Sequence, residues 1–502
     1  MNKILLTTIF AAASIMGAAA QTTSTNSAQD ADKSVIVTSD WHLSDARSMD
    51  PSCYYAWTDD NYPRIVHFLR NLTDKKDSWD ALVLNGDIFE FWRTPVDKLM
   101  VADAEGNVIT DVQYLLKIKE NYPAVFDLLE GLRKDGKEIV YLPGNHDLTV
   151  SEDDINGAFP GLFTCCFDTK GTGIYEPFGE TSSIAIEHGN RYEYFNAPYQ
   201  HGEFGTEGVS KDALLPPGYF TSKLGASATV AKPSTRREMA RIYGTIDDKE
   251  ETDAINRSRI AGVWNAIHAG VGSPSFEVKM MIDGIGTADK STCIWSDYAV
   301  SETNPTTLFK DSWTVDNWKK RCELNKVPLP LSFATGIASA FVHETFDDLA
   351  FQQRLFNPAL PTLICVFGHS HSKLLQTRHD DVKGDVVYLN DGAWVDGKNS
   401  YGIIRYSSAR KLYTIELREV GAEGGDTMID CRYLYVPEGN ANRLADGSLQ
   451  FCAKAKLVDA DATDIREVTP PTSDACYTLT GQRVASPVRG INIINGKKVL
   501  RR

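Results

Sequence analysis

The sequence predicts an α/β layered fold, and three observations carry that expectation. Six short apolar runs end in polar, mostly glycine-containing corners: "SVIVTSDWH" (34–42), "ALVLNGDIFE" (81–90), "EIVYLPGNHD" (138–147), "SIAIEHGN" (183–190), "LICVFGHSH" (363–371) and "VVYLNDGAWV" (386–395). Apolar runs bounded by turn residues read as buried strands. Amphipathic patterns stand between the first of them, with Ile65, Phe68, Leu69 and Leu72 in one and Val125, Phe126, Leu128, Leu129 and Leu132 in another, the latter started by Asn121 and Pro123. Strands alternating with helices build a sheet covered by helices.

Along the chain of 502 residues, Met1-Asn2-Lys3 precedes an apolar run from Ile4 to Gly17 and then Ala18-Ala19-Ala20 before Gln21. That is the layout of a secretory signal peptide over residues 1–20, so a secreted protein of the periplasm, cell surface or extracellular space is expected. Residues 21–33, rich in Ser, Thr, Asn and Asp, read as a flexible leader. Residues 34–420 are expected to form the main domain, interrupted at 197–360 by a large, partly helical insertion that includes Ile260, Val263, Trp264 and Ile267 and a segment from Phe341 to Leu355. Strands resume at "YGIIRYS" (401–407) and "KLYTIELREV" (411–420) and continue in a β-rich extension, 421–467. A Pro/Thr linker, 468–475, then leads to a small C-terminal β module, 476–502, in which Asn495-Gly496 between "INII" and "KKVL" signals a hairpin.

The formal net charge of −15 argues against a partner that is a nucleic-acid polymer, because such binding rests on phosphate neutralisation by Lys and Arg. Beyond the signal segment no apolar run is long enough to span a bilayer, so no transmembrane segment is expected. The nine cysteines include no CxxC spacing, which speaks against a zinc ribbon, and export would permit disulfides.

The strand-end polar groups, collected in order, are Asp40-x-His42, Gly86-Asp87, Gly144-Asn145-His146-Asp147, His188-Gly189 and Gly368-His369-x-His371. Singly, each is ordinary turn or capping chemistry. In series on five strand ends they point to a dinuclear metal site. Two divalent cations about 3.5–4 Å apart need a bridging carboxylate to lower their repulsion, and neutral imidazoles or amides complete each sphere. On an extended strand alternate side chains share a face, which would aim His369 and His371 together into one site, with Gly368 allowing close backbone approach.

In combination these motifs resemble the calcineurin-like metallophosphoesterase superfamily over residues 34–407, the insertion excepted. The resemblance implies a four-layer α/β/β/α sandwich and two divalent metal ions, Mn²⁺ foremost, with Zn²⁺ or Fe²⁺ as the other options. It implies that Asp40, His42 and His371 hold one metal, that Asn145, His188 and His369 hold the other, and that Asp87 bridges them. It further implies a metal-bound hydroxide as nucleophile, with His146 as the group that protonates the leaving alkoxide or steadies the phosphoryl oxygens and Asp147 orienting it. Purple acid phosphatases carry an iron-binding tyrosine three residues after the bridging aspartate, where this chain has Glu90, so an iron-tyrosinate site is not expected.

"GDIFEFW" (86–92) and "SDWHLSD" (39–45) look most like the branch containing UDP-2,3-diacylglucosamine hydrolases, which has arginine where this chain has His146. An exported protein does not meet that cytoplasmic substrate, so the chemistry carries over and the substrate does not. The tail, with "LTGQRV" and "GINIINGKKV", resembles the C-terminal sorting modules of type IX secretion, although Asn492 departs from the usual aromatic; secretion machinery would be its partner.

Because the insertion lies between His188 and His369, both its ends return to the site, which makes it the candidate cap over the pocket. Arg191, Arg236, Arg237 and Arg241 are candidate phosphate donors, against the commoner ion-paired role. Trp41 and Trp92 read as core packing before substrate stacking. The expected function is a secreted phosphoester hydrolase acting on a small phosphorylated substrate. The alternatives are a pyrophosphatase or phosphodiesterase on a nucleotide-linked sugar or lipid, and a surface binding module on the same fold.

Overall fold

The computed structural model describes residues 32–45, 61–92, 109–169, 171–178, 183–198, 315–340, 342–395 and 397–459, with positions 216 and 218 and short strand pieces elsewhere. Residues 1–20, most of the leader, the 260–267 pattern, Arg236, Arg237, Arg241 and the 468–475 linker lie outside the described residues.

All six apolar runs are strands: β1 (Lys33–Thr38), β2 (Ala81–Asn85), β3 (Glu138–Leu142), followed by the short β4 (Thr164–Cys165), then β5 (Ile184–Ile186) and, later in the chain, β8 (Ile364–Phe367) and β10 (Gly384–Asp391). Two two-residue pieces, β6 (Lys279–Met280) and β7 (Cys293–Ile294), pair with each other inside the insertion. β1 to β4 pair in parallel, which requires crossovers, and helices supply them. α1 (Tyr62–Asp74) joins β1 to β2, α2 (Asp111–Asn121) and α3 (Pro123–Lys134) join β2 to β3, and α4 (Glu152–Ala158) joins β3 to β4. The Asn121 start signal acts differently from its expected role. Asn121 ends α2, which opens with a Thr110/Gln113 capping box, and Tyr122 is the cap of α3, with Pro123 in its first turn.

The larger sheet is completed by β11 (Ser400–Ser407), β12 (Leu412–Val420), β13 (Asp426–Tyr435) and β16 (Lys456–Val458), in the order β16-β13-β12-β11-β1-β2-β3-β4. Of the expected extension, residues 421–459 are described, and their longest strand, β13, belongs to the main sheet, with Leu434 opposite Tyr413. A small hairpin, β14 (Ala441–Arg443) with β15 (Leu449–Phe451), stands between them. The smaller sheet has the order β5-β8-β10-β9, where β9 is Lys373–Asp380.

The two sheets pack face to face, close enough that a Cβ on Gly402 of β11 would meet Leu389 of β10 at 2.5 Å. On the outer face of the larger sheet, α1 buries Ile65, Phe68, Leu69 and Leu72, and the Phe68 ring lies 4.7 Å from that of Tyr401. Outside the smaller sheet lie the described helices of the insertion: α5 (Val315–Leu324), α6 (Phe333–Ala338) and α7 (His343–Ala350), the last running into a π turn at Phe351–Leu355. Helices, sheet, sheet, helices is the four-layer order expected. Both faces of the central strands are covered, which is why β2 is buried at every position.

The C-terminal module is a separate sheet, β18-β17-β19-β20, of β17 (Cys476–Thr478), β18 (Arg483–Val484), β19 (Gly490–Ile494) and β20 (Lys497–Arg501). Ile494 pairs with Lys497 in the antiparallel register that the expected hairpin calls for. Among the described residues, Cys165, Cys166, Cys322, Cys365, Cys431 and Cys452 are free thiols, and no helix is long and apolar enough to cross a membrane.

One buried hydroxyl ties β1 to the loop after β10. Thr38 Oγ1 accepts from Trp41 Nε1 at 2.9 Å and from Trp394 Nε1 at 2.7 Å, and all three residues are fully buried, which confirms Trp41 as core. Thr38→Val keeps the shape and strands two indole N–H groups. It is expected to lower unfolding free energy by about 2–4 kcal/mol in a denaturant titration, whereas an unchanged midpoint would show that water reaches both indoles.

Candidate dinuclear metal centre

The five polar clusters sit beyond the C-terminal ends of β1, β2, β3, β5 and β8, three in the larger sheet and two in the smaller. Backbone hydrogen bonds bring them together. Asp40 N donates to Gly86 O at 3.0 Å, His42 N to Asp87 O at 2.9 Å and Gly368 N to His188 O at 3.2 Å. His369 N crosses between the sheets to donate to Asp40 Oδ2 at 3.1 Å.

Two groups of ligand atoms result. In the first, Asp40 Oδ1 lies 3.2 Å from His371 Nε2 and 3.8 Å from His42 Nε2. In the second, Asn145 Oδ1 lies 2.7 Å from His369 Nδ1 and 3.2 Å from His188 Nε2, which is itself 3.3 Å from Asp87 Oδ2. Asp87 Oδ2 also lies 3.9 Å from His42 Nε2 and so faces both groups. All seven predicted ligands are thus brought together, with His42 between the Asp40 and Asp87 carboxylates at 3.8 and 3.9 Å.

The residues fit divalent cations. Asp40 Oδ1 is buried, with the imidazole nitrogens of His371 and His42 facing it at 3.2 and 3.8 Å. The outer nitrogens of three imidazoles are engaged: His42 Nδ1 by Glu90 Oε2 at 3.0 Å, His188 Nδ1 by Asn85 O at 2.8 Å and His369 Nε2 by Glu193 Oε2 at 3.2 Å. Each arrangement leaves the inward nitrogen for a ligand, the tautomer that a bound cation needs. Imidazole, carboxylate and amide donors suit Mn²⁺, Zn²⁺ or Fe²⁺.

Asp40, His42, Asp87, His369 and His371 all have positive φ, from 49° to 68°. Such backbone is uncommon outside glycine and concentrates at functional sites. It also corrects the strand argument for the histidine pair. β8 stops at Phe367, Ser370 N turns back to donate to Gly368 O at 2.8 Å, and the left-handed residues on either side send His369 and His371 to different groups. The expected role of Gly368 holds, since a Cβ there would lie 2.5 Å from Ser39 Oγ. Gly144 is equally constrained, with a Cβ position 2.2 Å from Asp87 Oδ1.

Burial disfavours charge throughout the site, yet the carboxylates outweigh it for two imidazoles. Burial lowers His42, but hydrogen bonds with Asp40 and Glu90 raise it to about 10. Burial likewise lowers His188, and the charges of Asp87 and Asp40 raise it to about 9. Asp87 is lowered to about 2, because His188 and His146 outweigh its burial.

Asp147 does not orient His146. Its carboxylate accepts from the backbone N–H groups of Gly144 at 2.5 Å, Ile88 at 3.1 Å and Phe89 at 3.3 Å, and so pins the loops after β2 and β3. The His146 ring is held instead by Glu90, both of whose oxygens lie 2.8 Å from His146 Nδ1. Glu90 therefore serves His42 and His146 together, a role missed in the sequence because the position was weighed only as the absent tyrosine. Also missed were Ser39 and Asp391: Ser39 Oγ lies 2.5 Å from Asp40 Oδ2 and 2.7 Å from Asp391 Oδ1. The "YLNDGAWV" stretch was the signal for Asp391.

Arg191 is not a phosphate donor. It is fully buried, pairs with Glu187 at 2.7 Å and Asp168 at 2.8 Å, and donates to Asn325 O. Trp92 stacks on His146 with centroids 4.6 Å apart. Both line a cavity of about 380 Å³ over the metal ligands, whose opposite wall is Ser339, His343 and Phe346 of the insertion. No Lys or Arg is among its described lining residues.

Residues 33–227 match the family model described as calcineurin-like phosphoesterase. The stretch includes seven of the nine predicted site residues, and the fold brings His369 and His371 to them. A solved structure of a dimetal phosphatase from Danio rerio is similar at 10% identity, covering 81% of this chain and 100% of that one, with a TM-score of 0.31, too low to carry an argument. No curated protein matches the chain in sequence.

A cation must displace protons from His42 and His188, which hold them at neutral pH because both are raised above 6.5. Affinity for Mn²⁺ is accordingly expected to rise with pH until both rings are neutral, through about 9 to about 10. Calorimetric titration near pH 7 should show a heat that depends on the ionisation enthalpy of the buffer; a buffer-independent heat would contradict these assignments.

Proposed function

We propose, on the premise that residues 33–227 form a calcineurin-like phosphoesterase domain and that the protein is a metal-dependent phosphoesterase, that it removes a terminal phosphate from a small substrate. The observation that carries this is the shared carboxylate of Asp87 between two ligand groups at the floor of a cavity of about 380 Å³. That volume is at the small end of ligand pockets, which run from roughly 300 to 1,000 Å³, and the wall from the insertion closes one side.

Asp40, His42 and His371 would hold one divalent cation and Asn145, His188 and His369 the other, with Asp87 between them and Mn²⁺ the first choice of metal. Bound there, the cations supply Lewis-acid polarisation of the phosphoryl group and lower the pKa of water towards neutrality. The chain's own residues do the rest. The described lining offers an anion the imidazoles of His146, His343, His369 and His371 and the amides of Asn145 and Asn196. Burial holds the His146 imidazole below its ordinary range, against the pull of Glu90 and Asp87. Glu90 and Trp92 fix that ring from two sides, which leaves it oriented to pass a proton to the leaving oxygen.

The full chain reconstituted with Mn²⁺ is expected to cleave p-nitrophenyl phosphate faster than bis-p-nitrophenyl phosphate, and Asp87→Asn to reduce both to the blank. Faster diester cleavage would favour the phosphodiesterase or pyrophosphatase reading. A fully metallated protein inert on phosphorylated compounds would favour a binding module.

Export is part of the same proposal, supported by the signal layout of residues 1–20 and by the likeness of the tail to sorting modules. The mass of the native mature protein is expected to place its first residue at Gln21; a retained Met1 segment would sink this.

A further inference from the structure

We propose that Glu193 is a positioning residue for the second metal, held in place by the insertion through Arg321; this rests on the dinuclear reading of the site. Glu193 follows β5 by only a few residues and is almost fully buried. One oxygen, Oε2, lies 3.2 Å from His369 Nε2, and the other, Oε1, accepts from Phe195 N at 2.9 Å. The carboxylate is thereby fixed at both ends. A carboxylate at Nε2 keeps the proton on that nitrogen and leaves Nδ1, on the Asn145 side, as the ligand atom.

Asn196, in the same segment, works beside it. Its Oδ1 accepts from Asn145 Nδ2 at 3.4 Å, while its Nδ2 packs 3.4 Å from His369 Nε2, whose proton is directed at Glu193. Among the described residues, this segment reaches the site at His369 and Asn145, both of the second group. The first group has different supports, Ser39 with Asp391 behind Asp40 and Glu90 behind His42.

The insertion grips the segment from outside. Arg321 of α5 is fully buried and donates through Nη2 to Tyr194 O at 2.7 Å and Ala197 O at 2.5 Å, with its guanidinium 4.8 Å from the Tyr194 ring centroid. Asn325 Nδ2 donates to Pro198 O at 3.1 Å, and Tyr194 N donates to Gly336 O at 2.8 Å. Hydrogen bonds from this side therefore hold the backbone at Tyr194, Ala197 and Pro198, the neighbours of Glu193 and Asn196, whose side chains reach His369 and Asn145.

The test is titration of Co²⁺ into the metal-free full chain, followed by visible absorption and by competition with a chelator, for wild type, Glu193→Ala, Glu193→Gln and Arg321→Lys. Thermal midpoints of the metal-free proteins are measured in parallel. Wild type is expected to take two equivalents. Glu193→Ala should keep the first at wild-type affinity and weaken the second by about 10–100-fold, the usual effect of removing a partner behind a metal ligand. Glu193→Gln, which retains an acceptor oxygen, should recover part of that loss, and Arg321→Lys should weaken the second equivalent without touching a ligand. If alanine prevents folding, the glutamine variant carries the comparison. Wild-type affinity for both equivalents in Glu193→Ala overturns the proposal, as does a loss of both together with a lowered midpoint, which marks a purely structural role. A wild type that binds fewer than two equivalents instead overturns the dinuclear reading itself.

Discussion

The Asp87 carboxylate is the point at which the two sheets become one site. Oδ2 faces His42 from the larger sheet at 3.9 Å and His188 from the smaller at 3.3 Å, while Oδ1 accepts from His146 N at 2.7 Å. Neither sheet alone offers a complete set: the larger supplies Asp40, His42, Asp87 and Asn145, and the smaller supplies His188, His369 and His371. The site therefore depends on sheet packing, and the packing in turn must place buried carboxylates against imidazoles. Burying such charges is unfavourable unless they are paired. Here the carboxylates of Asp40, Glu90 and Asp87 outweigh burial and favour the charged form of His42 and His188.

Strands and ligand types were legible in the sequence because both follow from local composition. β-branched runs with polar corners are strands wherever a layered core forms, and His, Asp and Asn at five strand ends in series are hard to explain by turn chemistry alone. What stayed hidden depends on backbone conformation or on distant partners. The His369/His371 spacing implied a shared face only if the chain were extended, and the left-handed φ at both positions sends them apart. The motif placed Asp147 beside His146, whereas its carboxylate turned to three backbone N–H groups and left the ring to Glu90. Arg191 could have faced a phosphate, but Glu187, only four residues earlier, and Asp168 claim it in the core.

The strained backbone and the glycines have one origin. To bring five strand ends within ligand distance, the chain must turn sharply just after each strand, and Gly144 and Gly368 stand where any side chain would collide with Asp87 or with Ser39. Left-handed ligand residues persist only where surrounding contacts over-determine them. Here those contacts are the backbone bonds from Asp40 to Gly86 and from His42 to Asp87, and the Asp147 carboxylate beneath the loops.

The supports are unequal, and the difference has a functional direction. The first ligand group is braced by residues of the sheets and their loops, Asp391 through Ser39 and Glu90, whereas the second leans on a segment held by α5 and α6. The insertion also builds the cavity wall at Ser339, His343 and Phe346, and the Phe346 ring lies 5.2 Å from that of His369. Substrate wall and second-metal ligand are therefore parts of one packed unit. Under the proposed reading, a change in the insertion that displaces Phe346 reaches His369 as well, so the shape of this wall and the setting of that imidazole are coupled through one ring contact.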